Sequence, residues 1–267
     1  MAALIARPVA WIRRLVAPFL ERLVEVELFD RAVALASQAF VALIPLMVVA
    51  AALLPYGQRA GFADSIVQRF HLSGDSADAI ERVFAQPAEI QSTLSGFGVL
   101  LLVVSALSFC RALARLYEKA WRLAPRGMRS TPTHLIWLAV ACVYTSIAEF
   151  LNTTAADWLG PVGRLAVAFV LSFLIWLWTP YVMLRRRVER RDLRWTGGLT
   201  ATGMVAYSVG SLYYMPHAIE ESAERFGTIG IAIAIVSWLI GVGFILVVGA
   251  AFGAVLAGRR ALQRQAH

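Results

Sequence analysis

Long apolar stretches alternate with short, arginine-rich polar stretches along most of this chain. A helix that crosses a bilayer needs about 20 predominantly apolar residues, and six windows free of Asp, Glu, Lys and Arg reach about that length. None shows the alternating pattern of a transmembrane strand, and backbone groups in hydrocarbon must pair within their own segment. Each window is therefore predicted to be a helix. The windows cover residues 32–58, 90–110, 130–148, 165–184, 195–219 and 226–258.

The pattern predicts an all-α, polytopic membrane protein whose six transmembrane helices form a membrane domain over residues 32–258. A cytoplasmic amphipathic segment at 1–31 precedes this domain, and a basic cytoplasmic tail at 259–267 follows it. The first span leads into an external helical loop at 55–89. The spans are placed at about residues 32–54, 91–110, 133–152, 164–184, 197–215 and 228–257.

Composition and charge agree with this assignment. Hydrophobic residues make up 59% of the chain and charged residues 16%, against about 45–50% and about 25% in soluble domains. A net charge of +8 would suggest a nucleic-acid partner in a soluble protein. Here, however, 20 of the 25 basic residues fall in alternate loops on one side and five on the other. The positive-inside rule then predicts that both termini are cytoplasmic, and no nucleic-acid partner is expected.

Two segments outside the predicted spans also have helical spacing. Val9, Ile12 and Phe19 belong to an apolar stripe before the first span, typical of an amphipathic helix on the cytoplasmic leaflet or of a helix packed beneath the bundle. In the external loop, two short helices are predicted to cap the outer mouth of the bundle, as a packed structure or as a lid. No cleaved signal peptide is expected, because 31 residues with five arginines precede the first apolar run.

Ionisable and amide side chains inside predicted spans are candidates for substrate contact, because an unpaired charge at mid-bilayer costs about 2.5 kcal/mol or more. Glu149 lies in the outer third of the third span, close to Asn152. It either faces an outward-opening polar cavity, or lies at the interface and pairs with Arg164 or solvent. Gln38 precedes Pro45 by two turns, and the missing backbone donor of the proline predicts a kink that either lines a pathway or is a fixed bend.

The fifth and sixth spans carry stripes of small and hydroxylated residues. Such a stripe must point away from lipid, toward other helices or toward water. Thr200, Tyr207 and Ser211 in the fifth span are therefore candidates either for substrate lining or for helix packing. Gly249 and Gly253 in the sixth span have the spacing that favours close helix approach, so we assign them a structural role.

Basic residues cluster at the predicted inner face. Two lie one turn apart where the second span ends, and three consecutive arginines follow the fourth span. The partial negative charge at a helix C-terminus stabilises cations there, and basic clusters next to the membrane attract anionic headgroups. Membrane lipids are therefore the expected partners. The candidate headgroup contacts are Arg111, Arg115, Arg185, Arg186 and Arg187.

Residues arranged for enzymatic chemistry are absent from the sequence pattern. The four histidines are isolated, and no Gly-x-Ser-x-Gly or phosphate-loop motif occurs. Cys110 and Cys142 both fall in predicted spans without metal-ligand spacing, which predicts neither a disulfide nor a metal site. We therefore expect no catalytic residues, no metal and no cofactor, and the protein is predicted not to be an enzyme.

An ordered set of short motifs runs through nearly the whole chain. The most specific is Phe226-Gly227-Thr228-Ile229-Gly230, which is followed by Trp238 and by Gly249-Ala250. The others are Ala42-Leu43-Ile44-Pro45-Leu46, the stretch from Arg111 to Trp121, and Arg190-x-x-Leu193-Arg194-Trp195. Together, in the same six-span order, they resemble the YihY/BrkB family of bacterial inner-membrane proteins, a group once labelled ribonuclease BN.

The chain departs from the family pattern at three positions. Ala251 stands where a glutamate is expected, Gly253 stands near an expected asparagine, and Gln38 stands where tyrosine is usual. The resemblance implies a protein of the bacterial inner (plasma) membrane with a role in envelope or lipid transport. We expect transport of a lipid or amphiphilic envelope component through a polar cavity lined by the first, third and fifth spans. The alternative is a non-catalytic envelope scaffold. A homo-oligomer is compatible with either function, and ribonuclease activity is not expected.

Overall fold

The computed structural model of the chain describes residues 16–53, 64, 67, 74, 78, 88–127, 131–154 and 156–265. The described residues form helices and turns without a strand, which confirms the all-α prediction. A short N-terminal helix over residues 16–26 precedes six long helices. These are α1 (Leu28–Leu53), α2 (Ala88–Ala120), α3 (Thr131–Thr154), α4 (Ala156–Met183), α5 (Arg190–Phe226) and α6 (Thr228–Gln265).

Three helical segments within the described residues are long and apolar enough to cross a membrane by length and composition. They are Phe97–Ala120 in α2, Val162–Met183 in α4 and Ile229–Gly258 in α6. The full six-span topology and the cytoplasmic placement of the termini stay predictions. Most of the predicted external loop at 55–89, and residues 1–15 of the predicted amphipathic segment, lie outside the described residues.

The helices extend beyond the apolar windows from which they were predicted. The second span was predicted to end at Cys110, but α2 continues to Ala120 and carries Arg111 and Arg115 on regular helix. Similarly, α5 runs from Arg190 to Phe226 with charged residues in its first and last turns. A helix satisfies its own backbone in water as well as in lipid, so its ends are not fixed by the loss of apolar character.

The chain packs as two compact units. Unit 1 draws on Met1–Ala32, Arg111–Ala206 and Gly243–His267, and unit 2 on Val33–Cys110 and Tyr207–Val242. The interior of unit 1 is built from fully buried side chains that come from several helices. Among them are Leu113, Leu116 and Tyr117 of α2, Leu193 of α5, and Leu246 and Val247 of α6.

Large apolar side chains are also exposed in numbers that a water-soluble protein rarely shows. Phe97 and Leu100 of α2, Ile136 of α3, Leu174 of α4 and Leu212 of α5 are all more than half exposed. Exposed apolar area on this scale marks a surface that contacts lipid or another protein. The distribution therefore agrees with helices that are solvated by hydrocarbon.

Within unit 1, α5 and α6 approach closely at the two glycines of the small-residue stripe. A side chain on Gly249 would overlap the hydroxyl of Thr200, and one on Gly253 would overlap the hydroxyl of Thr196. The contact at Gly253 also involves backbone, because an added Cβ would lie 2.7 Å from the amide nitrogen of Thr196. Both threonines are fully buried, so the seam has no room for a larger residue.

The N-terminal helix is attached to the end of α2 by charged side chains. Arg122 contacts Glu25 at 2.6 Å, and Lys119 contacts Glu27 at 2.8 Å. Arg22 donates a hydrogen bond of 3.0 Å to the carbonyl of Ala120. Glu27 and Arg122 both have positive φ, at 60° and 50°, so each turns the chain at the end of a helix where glycine is usual.

These ion pairs lower the pKa of both carboxyl groups. The hydrogen bond from Arg122 lowers the pKa of Glu25 below its usual 4.5, and the hydrogen bond from Lys119 lowers the pKa of Glu27 in the same way. A lowered folded-state pKa means that the attachment contributes stability at neutral pH and loses that contribution as the pH falls below 4.5.

We expect substitution of Gly253 by alanine to destabilise the protein, because the added methyl group meets the backbone of Thr196. Overpacking of this kind costs about 1–3 kcal/mol, and thermal unfolding of the detergent-solubilised protein measures it. Gly258→Ala on the same helix is the matched control, since a Cβ there meets nothing within 4 Å. That variant should unfold at the wild-type temperature or above it, because alanine is the better helix former. Equal melting temperatures for the two variants would contradict the close approach.

A spin label at Leu20, which is 53% exposed, tests the attachment in a Cys110→Ala, Cys142→Ala background. We expect its mobility to stay low at neutral pH and to rise as the pH falls below 4.5, when Glu25 and Glu27 take up protons. Glu25→Gln should raise the mobility already at pH 7. Glu21→Gln makes the same charge change on the same helix and should not. A pH-independent spectrum would show that the pairs do not hold this helix.

Candidate functional site

An apolar groove of about 440 Å³ runs between α3 and α4 in unit 1. Each helix contributes a stripe of large apolar side chains at spacings of three and four residues, so that one face of each helix lines the groove. Val140, Val143 and Ile147 come from α3, and Leu171, Leu174 and Trp178 come from α4. The groove is open along its side, and several of these side chains are exposed.

The groove ends at an aromatic ring that is flanked by arginines. Tyr181, one turn after Trp178, lines the groove together with Arg190. The guanidinium carbon of Arg190 lies 4.3 Å from the centre of the Tyr181 ring, and that of Arg186 lies 5.9 Å from it. Arg190 is also the first residue of α5, where the helix dipole adds partial positive charge. An elongated apolar surface with a cationic end matches an amphiphile that has an anionic head.

The chain turn after α4 brings these arginines to the end of the groove. Arg185 and Arg186 have φ of 50° and 61°, and the amide of Arg186 donates a 3.0 Å hydrogen bond to the carbonyl of Tyr181. This closes the last turn of α4 as a Schellman-type cap. Arg187 points elsewhere, because it contacts Glu118 of α2 at 2.5 Å and donates to the carbonyl of Ala124 at 2.9 Å.

The other predicted headgroup arginines have different surroundings. Arg115 is exposed on α2, and Arg185 is exposed after α4. Arg111 is half-buried, and its Nε has no hydrogen-bond partner among the described residues. Headgroup contact stays a prediction for all five arginines, and the side chain of Arg187 is engaged by the carboxylate of Glu118.

Two of the candidate substrate residues take part in an interhelical hydrogen-bond network in unit 2. The hydroxyl of Tyr207 donates to the carbonyl of Trp238 at 3.0 Å, and the indole of Trp238 donates to the hydroxyl of Ser211 at 2.8 Å. Ser211 in turn donates to the carbonyl of Tyr207 at 2.7 Å. The two rings are also stacked, with centroids 6.1 Å apart. The stripe of α5 therefore packs against α6 at these residues.

Thr200 and Gln38 are not among the described residues that line the groove. Thr200 is buried against Gly249 in unit 1, and Gln38 is half-buried on α1 in unit 2. Pro45 is buried within α1. Glu149 and Asn152 lie in the last turns of α3, but their side chains are outside the described residues. The polar cavity expected from these residues therefore stays a prediction.

Sequence reasoning missed the residues that form the groove. The sequence analysis assigns Leu174, Trp178 and Tyr181 only to the fourth span and Arg190 only to a family motif, although the pattern indicates their role. The sequence shows apolar stripes on the third and fourth spans. It also shows that an aromatic residue and an arginine cluster follow at the inner end of the fourth span. The sequence alone does not show that the stripes of these two helices face each other and line one groove.

We expect Tyr207→Phe to lower the melting temperature, because the carbonyl of Trp238 loses its hydrogen bond from the Tyr207 hydroxyl. Hydrogen bonds between membrane helices are worth about 0.6 kcal/mol on average and up to about 1.7 kcal/mol. Tyr214→Phe is the matched control, since Tyr214 lies on the same helix and is 72% exposed. If both variants melt together with the wild type, the network does not hold α5 to α6.

Comparison with known proteins gives one finding. The family model described as Virulence factor BrkB matches residues 19–267, which include all six long helices and the whole groove. Neither the curated proteins nor the solved structures give a significant match. The match confirms the resemblance that the ordered motifs indicated. This chain, with its apolar helices and its arginine-ended groove, belongs to the BrkB family of membrane proteins.

Proposed function

We propose that this protein spans the bacterial inner membrane six times with both termini cytoplasmic, and that it transports a lipid or another amphiphilic envelope component. The groove between α3 and α4 is the observation that carries the proposal. It combines a lateral apolar opening with a cationic end formed by Arg190 beside Tyr181. Its volume of about 440 Å³ lies in the range of small-molecule sites.

Charge, rather than apolar contact, should decide which amphiphile the groove prefers. An acyl chain that enters the groove from the bilayer exchanges one hydrocarbon environment for another, so it gains packing but little hydrophobic free energy. A basic residue near the membrane surface is worth about 1 kcal/mol toward an anionic headgroup. Arg186 and Arg190 together therefore favour anionic lipids over zwitterionic ones by up to about 30-fold.

A second function, a non-catalytic envelope scaffold, is supported by a different observation. Tyr207, Ser211 and Trp238 form a satisfied hydrogen-bond network, and α5 packs against Gly249 and Gly253 without space for water. A scaffold requires such a seam but no path for cargo. The two functions differ in whether the groove between α3 and α4 carries a molecule during turnover.

Lipid movement in proteoliposomes tests the proposal directly. We expect the wild type to move fluorescent phosphatidylglycerol between leaflets faster than empty vesicles do. Leu174→Trp should slow this movement several-fold, because the larger side chain fills the groove that Leu174 lines. Arg190→Gln should reduce the preference for phosphatidylglycerol over phosphatidylcholine, because the cation at the end of the groove is lost.

Leu212→Trp is the control for the size change. Leu212 is 72% exposed on α5 and does not line the groove, so its variant should move lipid at the wild-type rate. A wild-type rate equal to that of empty vesicles, with the folded protein inserted, would reject lipid transport and favour the scaffold.

A further inference from the structure

A second groove lies in unit 1, where α5 contacts both α4 and α6. It has a volume of about 730 Å³ and is open along its side. No residue that lines it also lines the groove between α3 and α4. Its walls and floor are formed by Phe169 and Phe173 from α4, Gly198 and Thr202 from α5, and Phe252 from α6.

The groove results from close helix contacts on both sides of a glycine. A Cβ on Gly197 would lie 2.9 Å from the Cα of Leu177, so α5 touches α4 there, and α5 touches α6 at Gly253. Between these contacts, Gly198 has no side chain with which to fill the space. A Cβ on Gly198 would meet only the ring of Phe173 within 4 Å, at 3.7 Å. The groove is therefore preformed by the packing of the three helices.

Polar groups reach the groove at one end only. The hydroxyl of Thr202 donates to the carbonyl of Gly198 at 2.8 Å, so it needs no partner in the groove. Eight residues earlier on α5, Arg194 and the exposed ring of Trp195 line the other end. The Nε of Arg194 donates to the carbonyl of Arg191 at 3.1 Å, and its terminal N–H groups have no partner among the described residues.

This polarity matches depth in a bilayer. The phenylalanines lie within the apolar segments Val162–Met183 and Ile229–Gly258. Helix α5 rises by about 12 Å from Arg194 to Thr202, and the hydrocarbon of one leaflet is about 15 Å thick. Tryptophan is typical of the boundary between hydrocarbon and headgroups. The groove thus has the length of one leaflet, with its cation at the headgroup end.

Charge decides which occupant suits the groove. An apolar helix of another chain would fill the hydrocarbon part but would leave the guanidinium of Arg194 without an anion. A phospholipid carries its phosphate next to its acyl chains, and a phosphate oxygen accepts the N–H groups that arginine offers. A headgroup with net negative charge gains further from a basic residue at the membrane surface.

We propose that this groove binds one anionic phospholipid, with an acyl chain along Phe169, Phe173 and Phe252 and the phosphate at Arg194. The lipid is a resident ligand, bound whether or not the protein moves other lipids between leaflets. The proposal therefore goes beyond the function proposed above. Arg194 sets the headgroup preference, and the missing side chain of Gly198 gives the acyl chain its space.

Thermal unfolding of the delipidated full chain in a neutral detergent measures this binding. Titration with phosphatidylglycerol should raise the melting temperature until the site is saturated. Phosphatidylcholine with the same acyl chains should bind about fivefold more weakly, and inorganic phosphate should have no effect, because most of the contact is apolar. Equal affinities for the two lipids, stabilisation by inorganic phosphate alone, or no stabilisation at all would overturn the proposal.

Variants locate the binding, each compared with its own lipid-free melting temperature. Arg194→Gln should weaken phosphatidylglycerol binding about fivefold, whereas Arg191→Gln, the same charge change one turn earlier, should leave it unchanged. Gly198→Leu should weaken the binding of both lipids several-fold, because its side chain fills the groove. Gly210→Leu is the control, since a Cβ there meets nothing within 4 Å. If Gly198→Leu does not fold, the two arginine variants decide.

Two results would assign the groove differently and contradict the proposal. If Leu174→Trp abolishes phosphatidylglycerol binding while Arg194→Gln leaves it intact, the lipid occupies only the groove between α3 and α4. If the lipid-free protein is a dimer that Gly198→Leu separates, a second copy of the chain covers the groove. Because the assay uses solubilised protein, the absence of lipid movement in vesicles would reject the transport function without changing this result.

Discussion

The structure depends on one constraint: polar groups inside hydrocarbon must find partners within the protein. Backbone groups find them in helices, and several hydroxyl groups on these helices donate to a carbonyl of the preceding turn. Ser108 donates to the carbonyl of Val104 at 2.9 Å, and Thr202 donates to that of Gly198 at 2.8 Å. Between helices, Trp137 donates to the hydroxyl of Thr179 at 3.0 Å.

The same constraint explains why two helix pairs have opposite roles. The seam of α5 against α6 is made of glycine and hydroxylated residues, so the helices approach closely and each polar group at Tyr207, Ser211 and Trp238 is satisfied. The faces of α3 and α4 carry bulky apolar residues such as Val143 and Leu174, which need no polar partner and leave an open groove. The closed seam contributes stability, and the lateral groove is the place where the proposed lipid would enter.

The apolar windows were sufficient to predict the all-helical fold, because burial of backbone in hydrocarbon allows few alternatives. They could not predict where helices end, as the continuation of α2 to Ala120 illustrates. The windows also could not show whether Tyr207 and Ser211 line a substrate path or pack against another helix, because a polar stripe that points inward is compatible with both roles. The deciding partner, Trp238, lies on another helix, and its contact with Tyr207 joins residues 31 positions apart.

The proposed six-span topology is the claim on which the lipid-transport proposal and the interpretation of the arginine distribution both rest. Labelling of single cysteines with a membrane-impermeant maleimide tests it most directly, in a Cys110→Ala, Cys142→Ala background. A cysteine at Gly227, in the turn between α5 and α6, should react in intact cells. A cysteine at Arg126, in the connection between α2 and α3, should react only after the membrane is permeabilised. Reaction of both in intact cells, or the reverse pattern, would contradict the six-span arrangement with cytoplasmic termini.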